Sequence, residues 1–300
     1  MGGQLIMLVP LSRKRHTFTT YSYKKSNMSV KQLFLFLTLF LCLSHLSLAQ
    51  EEISLVSWNI RDFGKTKSAE EIERMAEILR DYDIIAIQEV VAGYGGSQAV
   101  ARLADELNRK GSNWEYAISN PTSSPAYKTE KYAFLWKTSQ VKVVEKATLL
   151  GVLKDCVYRE PYQIKFKVKG NLVTILNYHA RKQKELPEEE VSCISDYIMH
   201  HQTEHIILAG DFNLSMDHQV FEKLKEAQYD TCATAGSTSL KRTCKDNEYL
   251  HQPMDHIIYD SQKNVVTDCG AIDFVQECDR LESSRMLSDH LPVYMRFIWK

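Results

Sequence analysis

The segment "ILAGDFNLS", residues 207–215, ends an apolar run in a glycine, an acid and, two residues on, an amide. Asp211 and Asn213 therefore stand at the mouth of a buried strand, and the placement recurs along the chain. Asn59 follows "LVSW", Glu89 follows "IIAIQ" and His179 follows "TILNY"; Asp255 and His256 precede "IIY", and Asp289 and His290 precede the last apolar run. One acid at a strand end is ordinarily a cap or turn residue. Six such junctions in one domain point instead to strand edges that converge on a single rigid site.

Asn59, Glu89, Asp211, Asn213 and Asp289 offer hard oxygen ligands. Oxygen-only ligation suits Mg²⁺, with Mn²⁺ or Ca²⁺ as alternatives, and argues against zinc or copper. No Cys-x-x-Cys or Cys-His spacing points to zinc either. With carboxylates beside them, the two histidines are better used in proton transfer, because an imidazole oriented by a carboxylate can take a proton from water. His290 is expected to pair with Asp255 or its neighbours as a general base, Glu130 to orient a histidine, and His179 to donate toward a phosphoryl oxygen that a metal polarises. Arg159, in "YREPY", suits bidentate phosphate binding or a surface pair with Glu160. Tyr127 and Lys128 are offered for phosphate contact, and Lys182, Lys184, Lys241 and Arg242 either extend a phosphate track or keep loops soluble. The chemistry described is hydrolysis of a phosphate ester without a covalent enzyme intermediate.

The elements that must position these groups are mostly short apolar runs. Strands are expected over 53–60, 83–90, 131–137, 162–168, 171–180, 205–213, 254–260 and 291–299. Helices are expected over 68–82, opened by a Ser68–Glu71 capping box, over 97–111 with a glycine stop, and at about 187–202. Strands outnumber helices and several helices lie between strands, an order that favours two packed sheets with helices outside over a regular doubly wound sheet or barrel.

Residues 1–49 do not read as part of this fold. They hold six lysines and arginines and no acid, and "MSVKQLFLFLTLFLCLSHLSLAQ" from Met28 has a basic start, an apolar core and small residues before a cleavage point after Ala49. Its apolar run falls short of the ~20 residues a membrane span needs. Met28 is the expected start of this leader, and residues 50–300 form one domain with no obvious linker or repeat. Without the leader, 31 basic residues face 38 acidic ones, a net of −7, which excludes a nucleic-acid binder relying on bulk charge. Of seven cysteines six remain, an even number that export permits to pair. Cys232–Cys244 and Cys269–Cys278 are the pairs suggested, although spacing does not fix pairing.

Together "SWNIRDFGKTK", "DIIAIQEV", "YREPY", "NYHA", "GDFN", "MDHIIY" and "LSDHLPV" resemble the endonuclease/exonuclease/phosphatase superfamily over essentially all of 53–300, specifically its deoxyribonuclease I branch. "GDFN" and "SDH" mark the superfamily; "NIRDFGKTK" and "YREPY" are more specific to the branch. The resemblance implies an α/β fold: a four-layered α/β sandwich with two facing mixed β-sheets and outer helices. It implies Asn59 and Glu89 at a metal, Asp211 and Asn213 at phosphate or metal, and Asp289 as a further metal or histidine-supporting acid. His179 and His290 become the histidine pair, Glu130 and Asp255 their partners, and Arg159 and Tyr127 contacts to DNA phosphates. The implied activity is that of a secreted or periplasmic, Mg²⁺-dependent endonuclease, monomeric, with duplex DNA as substrate and no stable protein or membrane partner. A metal-dependent phosphatase or phosphodiesterase acting on a small or lipid phosphate is the alternative. Two departures stand out: "YKTEKY" is one residue longer than the family's "YKERY", which puts Glu130 in question, and Val91 stands where animal enzymes carry a minor-groove arginine.

Overall fold

A computed structural model describes Lys31 and residues 52–125, 127–232 and 236–300. Lys31 apart, the expected leader and its cleavage point lie outside the described residues, and the fold belongs to the unit Gln50–Lys300. Its strands are β1 (Ile53–Phe63), β2 (Ile84–Val91), β3 (Trp114–Ile118), β4 (Glu130–Lys137), β5 (Val141–Leu149), β6 (Tyr162–Val168) and β7 (Asn171–His179), followed by β8 (Ile206–Asp211), β9 (Tyr229–Thr231), β10 (Leu240–Lys245), β11 (Glu248–Leu250), β12 (Asp255–Asp260), β13 (Asn264–Ala271) and β14 (Val293–Trp299). The helices are α1 (Ala69–Leu79), α2 (Tyr94–Arg109), α3 (Pro187–His200), α4 (Glu222–Glu226) and α5 (Leu281–Leu287).

One six-stranded sheet runs β13-β14-β1-β2-β4-β3 and the other β5-β6-β7-β8-β12-β9, with β10 and β11 forming a separate hairpin. Each sheet is mixed: β1 and β2 are parallel, as are β7 and β8, while their other pairings are antiparallel. Phe134, Tyr162, Phe166, Ile207, Val293 and Met295 pack between the sheets. The apolar stripes of α1 and α2 cover the outer face of the first sheet, where Ile72, Met75, Leu103 and Leu107 meet Val56, Trp58 and Ile85. On the second sheet Val191, Ile194 and Ile198 of α3 cover Leu176, Tyr178 and Leu208. Helix, sheet, sheet and helix make the four layers expected, because each strand inside the sandwich must bury both faces.

Local sequence explains most element boundaries. Ser68 caps α1 through a reciprocal box: its hydroxyl accepts from Glu71 N–H, and the Glu71 carboxylate accepts from Ser68 N–H. Helix α2 starts at Tyr94, three residues before its expected start, and the reason is steric. A Cβ on Gly96 would lie 2.0 Å from the Val91 carbonyl oxygen, so only a glycine lets the helix begin so close to β2. The strands β3, β5, β9, β10, β11 and β13 were not legible in the sequence; β5, for example, is an edge strand whose residues are mostly exposed, so it lacks an apolar alternation.

The cysteine pairing differs from expectation. Cys232 bonds to Cys269 and Cys244 to Cys278, while Cys156 bonds to Cys193. Neither suggested pair forms, because Cys244 lies at the end of the β10 strand against the segment that leads into α5, whereas Cys269 lies on β13. Among the described residues no helix is long and apolar enough to cross a membrane.

Candidate active site

The topology brings the chemically competent residues to one edge. Parallel β1 and β2 carry Asn59 and Glu89 there in their C-terminal halves, and antiparallel β4 starts there with Glu130. In the second sheet, parallel β7 and β8 end with His179 and Asp211 directly opposed, and antiparallel β12 starts with Asp255 opposite Asp211. Strand direction alone thus carries residues far apart in sequence to a common rim.

Two local features keep the rim tight. Gly210 lies beside Tyr178 across β7 and β8, and a Cβ there would fall 1.8 Å from the Tyr178 carbonyl oxygen. The ladder between β1 and β2 shifts register after Asn59, and Glu89 adopts a left-handed φ of 59°. Glu89 is thereby turned so that its carboxylate accepts from Asn59 Nδ2 at 3.3 Å and from Asp62 N–H at 3.2 Å.

Asp211 is the centre of the arrangement. Its Oδ2 accepts from Asn59 Nδ2 at 2.9 Å and lies 3.6 Å from His179 Nε2 and 3.8 Å from His290 Nε2. Its Oδ1 accepts from the Asn213 N–H at 2.9 Å, and Asn213 Nδ2 donates to the Ala180 carbonyl. Behind each imidazole stands a carboxylate: His179 Nδ1 donates to Glu130 at 2.9 Å and His290 Nδ1 to Asp255 at 2.8 Å. Glu130 therefore reaches His179 with the extra residue of "YKTEKY" in place.

Electrostatics follow from this geometry. Burial disfavours charge on His290, but Asp255 and then Asp211 outweigh it and raise its pKa to about 10. His179 is shifted upward on the same grounds, with Glu130 overcoming burial. Burial works against the Asp211 carboxylate, yet the two histidines hold its carboxyl below the usual range. Burial, followed by the neighbouring Asp211 charge, pushes the Asp255 carboxyl up despite His290.

Three other expected site residues flank this centre. Arg159 is buried, with Nε 3.1 Å from Glu130 Oε2 and Nη1 donating to the carbonyls of His179 and Ala180. It makes no surface pair with Glu160, whose carboxylate instead accepts from Ser123 N–H. Asp289 sits between Arg61 and Arg285, at 3.7 and 3.5 Å, and the carboxylate on His290 is that of Asp255. Tyr127 is fully exposed in the turn before β4.

Two residues that sequence reasoning passed over complete the site. Thr238 donates to Asp255 Oδ2 at 2.6 Å and fixes the carboxylate that holds His290. Ser288, buried, donates to the Asn59 carbonyl at 2.6 Å and accepts from the N–H groups of Arg61 and His290, tying the two sides of the site together. Ser288 was visible in "LSDHLPV" as the residue before the acid; nothing in the sequence distinguished Thr238.

For a divalent cation the donor set is suitable. Asn59 Oδ1 and Asp255 Oδ1 are buried without a hydrogen-bond partner, and Asp211, Asp255 and His290 each offer a ligand atom within 4.8 Å of the others.

Residues 56–290 match the Endonuclease/Exonuclease/phosphatase family. The chain is 28% identical over 276 residues to a "Deoxyribonuclease" of Thioalkalivibrio sp. (strain K90mix), covering 84% of this chain and 72% of that one. It is 27% identical over 265 residues to "Deoxyribonuclease-1" of Rattus norvegicus, covering 80% and 90%. Among solved structures, an endonuclease/exonuclease/phosphatase from Bacteroides vulgatus superposes with a TM-score of 0.60 at 18% identity, over 83% of this chain and 100% of that one. The human Nocturnin catalytic domain with bound sulfate superposes with a TM-score of 0.57 at 18% identity, over 83% and 94%.

Proposed function

The chain belongs to the endonuclease/exonuclease/phosphatase family, and from that membership we propose that it is a secreted, divalent-metal-dependent endonuclease that hydrolyses DNA phosphodiester bonds with a histidine-activated water. The observation that carries this reading is the convergence of two histidine–carboxylate pairs on one oxygen of Asp211. A phosphate placed between the imidazoles meets a proton acceptor on one side and a proton donor on the other. His290, held by Asp255, takes the proton of the attacking water as its oxygen bonds to phosphorus. His179, held by Glu130, donates a hydrogen bond to a phosphoryl oxygen while the bond from phosphorus to the ester oxygen breaks, and the departing alkoxide takes a proton from solvent. Uncompensated, Asp255 and Asp211 keep His290 protonated at neutral pH, so its use as a base depends on neutralising those acids.

Asn59, Glu89, Asp211 and Asn213 supply the oxygen donors for a cation, Mg²⁺ first and Mn²⁺ or Ca²⁺ as alternatives. When bound, the cation would polarise a phosphoryl oxygen and stabilise charge in the transition state. Asp289 would act through Arg61 and Arg285 at the rim, and Tyr127 as an exposed contact to substrate. Three disulfides among the described residues support an oxidising destination, secreted or periplasmic. The names of the relatives favour DNA, and the deoxyribonuclease I-type motifs favour its duplex form.

A second reading, a phosphatase or phosphodiesterase acting on a small or lipid phosphate ester, is supported by the acidic balance of the chain, net −7 without its leader. Matched duplex DNA, single-stranded DNA, RNA and small phosphate esters, each with Mg²⁺, separate the two. DNA cleavage that EDTA abolishes is expected; hydrolysis of a small phosphomonoester with every nucleic acid left intact would sink the nuclease reading.

A further inference from the structure

We infer that Glu190 is a positioning residue for the reaction: its carboxylate holds the two chain segments that place His179 against Glu130. The inference rests on the proposed role of His179 and adds the group that sets where its imidazole stands. Glu190 lies in the first turn of α3, on the face that otherwise buries Val191, Ile194 and Ile198, and it is fully buried. A carboxylate among such side chains is costly unless its oxygens are bonded, and here both are. Oε1 accepts from Tyr158 N–H at 2.5 Å and lies 3.2 Å from Arg181 Nε. Oε2 accepts from the Tyr178 hydroxyl and from Arg181 N–H, both at 2.8 Å. The position at the positive end of the helix offsets a further part of the cost.

These donors bracket the histidine. Tyr178 and Arg181 stand on either side of His179 and Ala180, and Tyr158 immediately precedes Arg159. Arg159 in turn donates through Nη1 to the carbonyls of His179 and Ala180 and sets Nε 3.1 Å from Glu130 Oε2, while Glu130 accepts from His179 Nδ1. One carboxylate thus fixes both the exit of β7 and the loop that aims a guanidinium at the same peptide groups and at Glu130. From the other side β8 holds this exit, where Ala180 N–H donates to the Asp211 carbonyl at 2.8 Å. The Cys156–Cys193 disulfide ties the same loop to the same helix, so loss of the carboxylate is expected to turn the loop rather than release it. A turn that moves the imidazole by about 1 Å is enough to cost on the order of 10²-fold in rate.

A double-mutant cycle tests this on duplex DNA with Mg²⁺, or on a small phosphate ester if that is what the protein hydrolyses, since the inference concerns His179 and not the substrate class. Glu190→Gln keeps the side-chain volume and gives up the charge and one acceptor oxygen. It is expected to lower kcat about tenfold or more with KM within about twofold of wild type. In a His179→Ala background the same substitution should change kcat by less than about twofold, because the group it positions is already gone. An unaltered kcat in folded Glu190→Gln, a change confined to KM, or an equal fold-loss in both backgrounds overturns the inference, the last by making Glu190 a structural residue only; each leaves the nuclease reading standing. Should Glu190→Gln fail to fold, Tyr178→Phe, which removes one donor to the carboxylate, carries the same cycle: a kcat loss of about threefold is expected, absent when His179 is alanine. No loss, or a loss that persists in the His179→Ala background, overturns the inference. A His179→Ala variant as active as wild type would overturn both the inference and the proposed role of His179.

Discussion

Asp211 faces both imidazoles with a single oxygen, so its charge is felt by two proton-transfer groups at once. Asp211→Asn is expected to shift the His290 titration, followed by NMR, to lower pH, because Asp211 is one of the two acids that raise it; an unmoved titration would count against the coupling. His290→Ala should lower kcat by about 10²-fold or more with little change in KM, as removal of a general base does. A KM effect at unchanged kcat would contradict the proton-transfer role. Arg159 supports the site from behind. Its guanidinium pairs with Glu130 and donates to two carbonyls, so Arg159→Ala should act first on folding, by about 3 kcal/mol from breaking a buried ion pair and leaving Glu130 with His179 alone. Urea unfolding of the variant measures this, and an unchanged midpoint would return Arg159 to the surface role expected from its motif.

At the scale of elements, the site depends on β7 and β8 lying in register at His179 and Asp211. Gly210 permits that approach, and Gly210→Ala is expected to cost about 3 kcal/mol or more, since the added Cβ meets backbone that cannot swing away. A melting temperature within a degree of wild type would refute it. The disulfides tie elements that the hydrogen-bond ladders do not: Cys156–Cys193 anchors the loop before β6 to α3, and Cys244–Cys278 holds the β10 and β11 hairpin to the approach to α5. Non-reducing peptide mapping should recover these pairs and Cys232–Cys269. Recovery of a Cys232–Cys244 peptide would show that the hairpin docks differently.

Across the whole molecule, acid should weaken the fold through a histidine far from the chemistry. His205 Nδ1 accepts from Trp299 Nε1–H at 3.1 Å, and burial, reinforced by Lys263, lowers its pKa from 6.5 to about 4. The folded form thus resists a proton that the unfolded chain accepts. The stability His205 contributes is whole above pH 6.5 and is lost as pH falls toward about 4, amounting at most to ~3 kcal/mol. Denaturation midpoints measured from pH 7 to 4 should fall less steeply in His205→Gln; parallel curves would exclude the assignment.

Much of this was legible in the linear sequence because burial writes itself into residue order. Apolar runs such as "IIAIQ" and "IILAG" announced interior strands, and the polar residues terminating them announced a shared edge. Side-chain chemistry likewise marked Asn59, Glu89, His179, Asp211 and His290 before any coordinates. Exposed edge strands such as β5 carried no such signature, and the partners of cysteines and of Arg159 could not be read, since both depend on which loops meet in space. Residue types and strand ends were determined locally by solvent exclusion. How closely the carboxylates approach the imidazoles, and that both imidazoles face one oxygen of Asp211, was decided only by the tertiary structure, because parallel and antiparallel neighbours set direction and register through hydrogen bonds between segments remote in the chain.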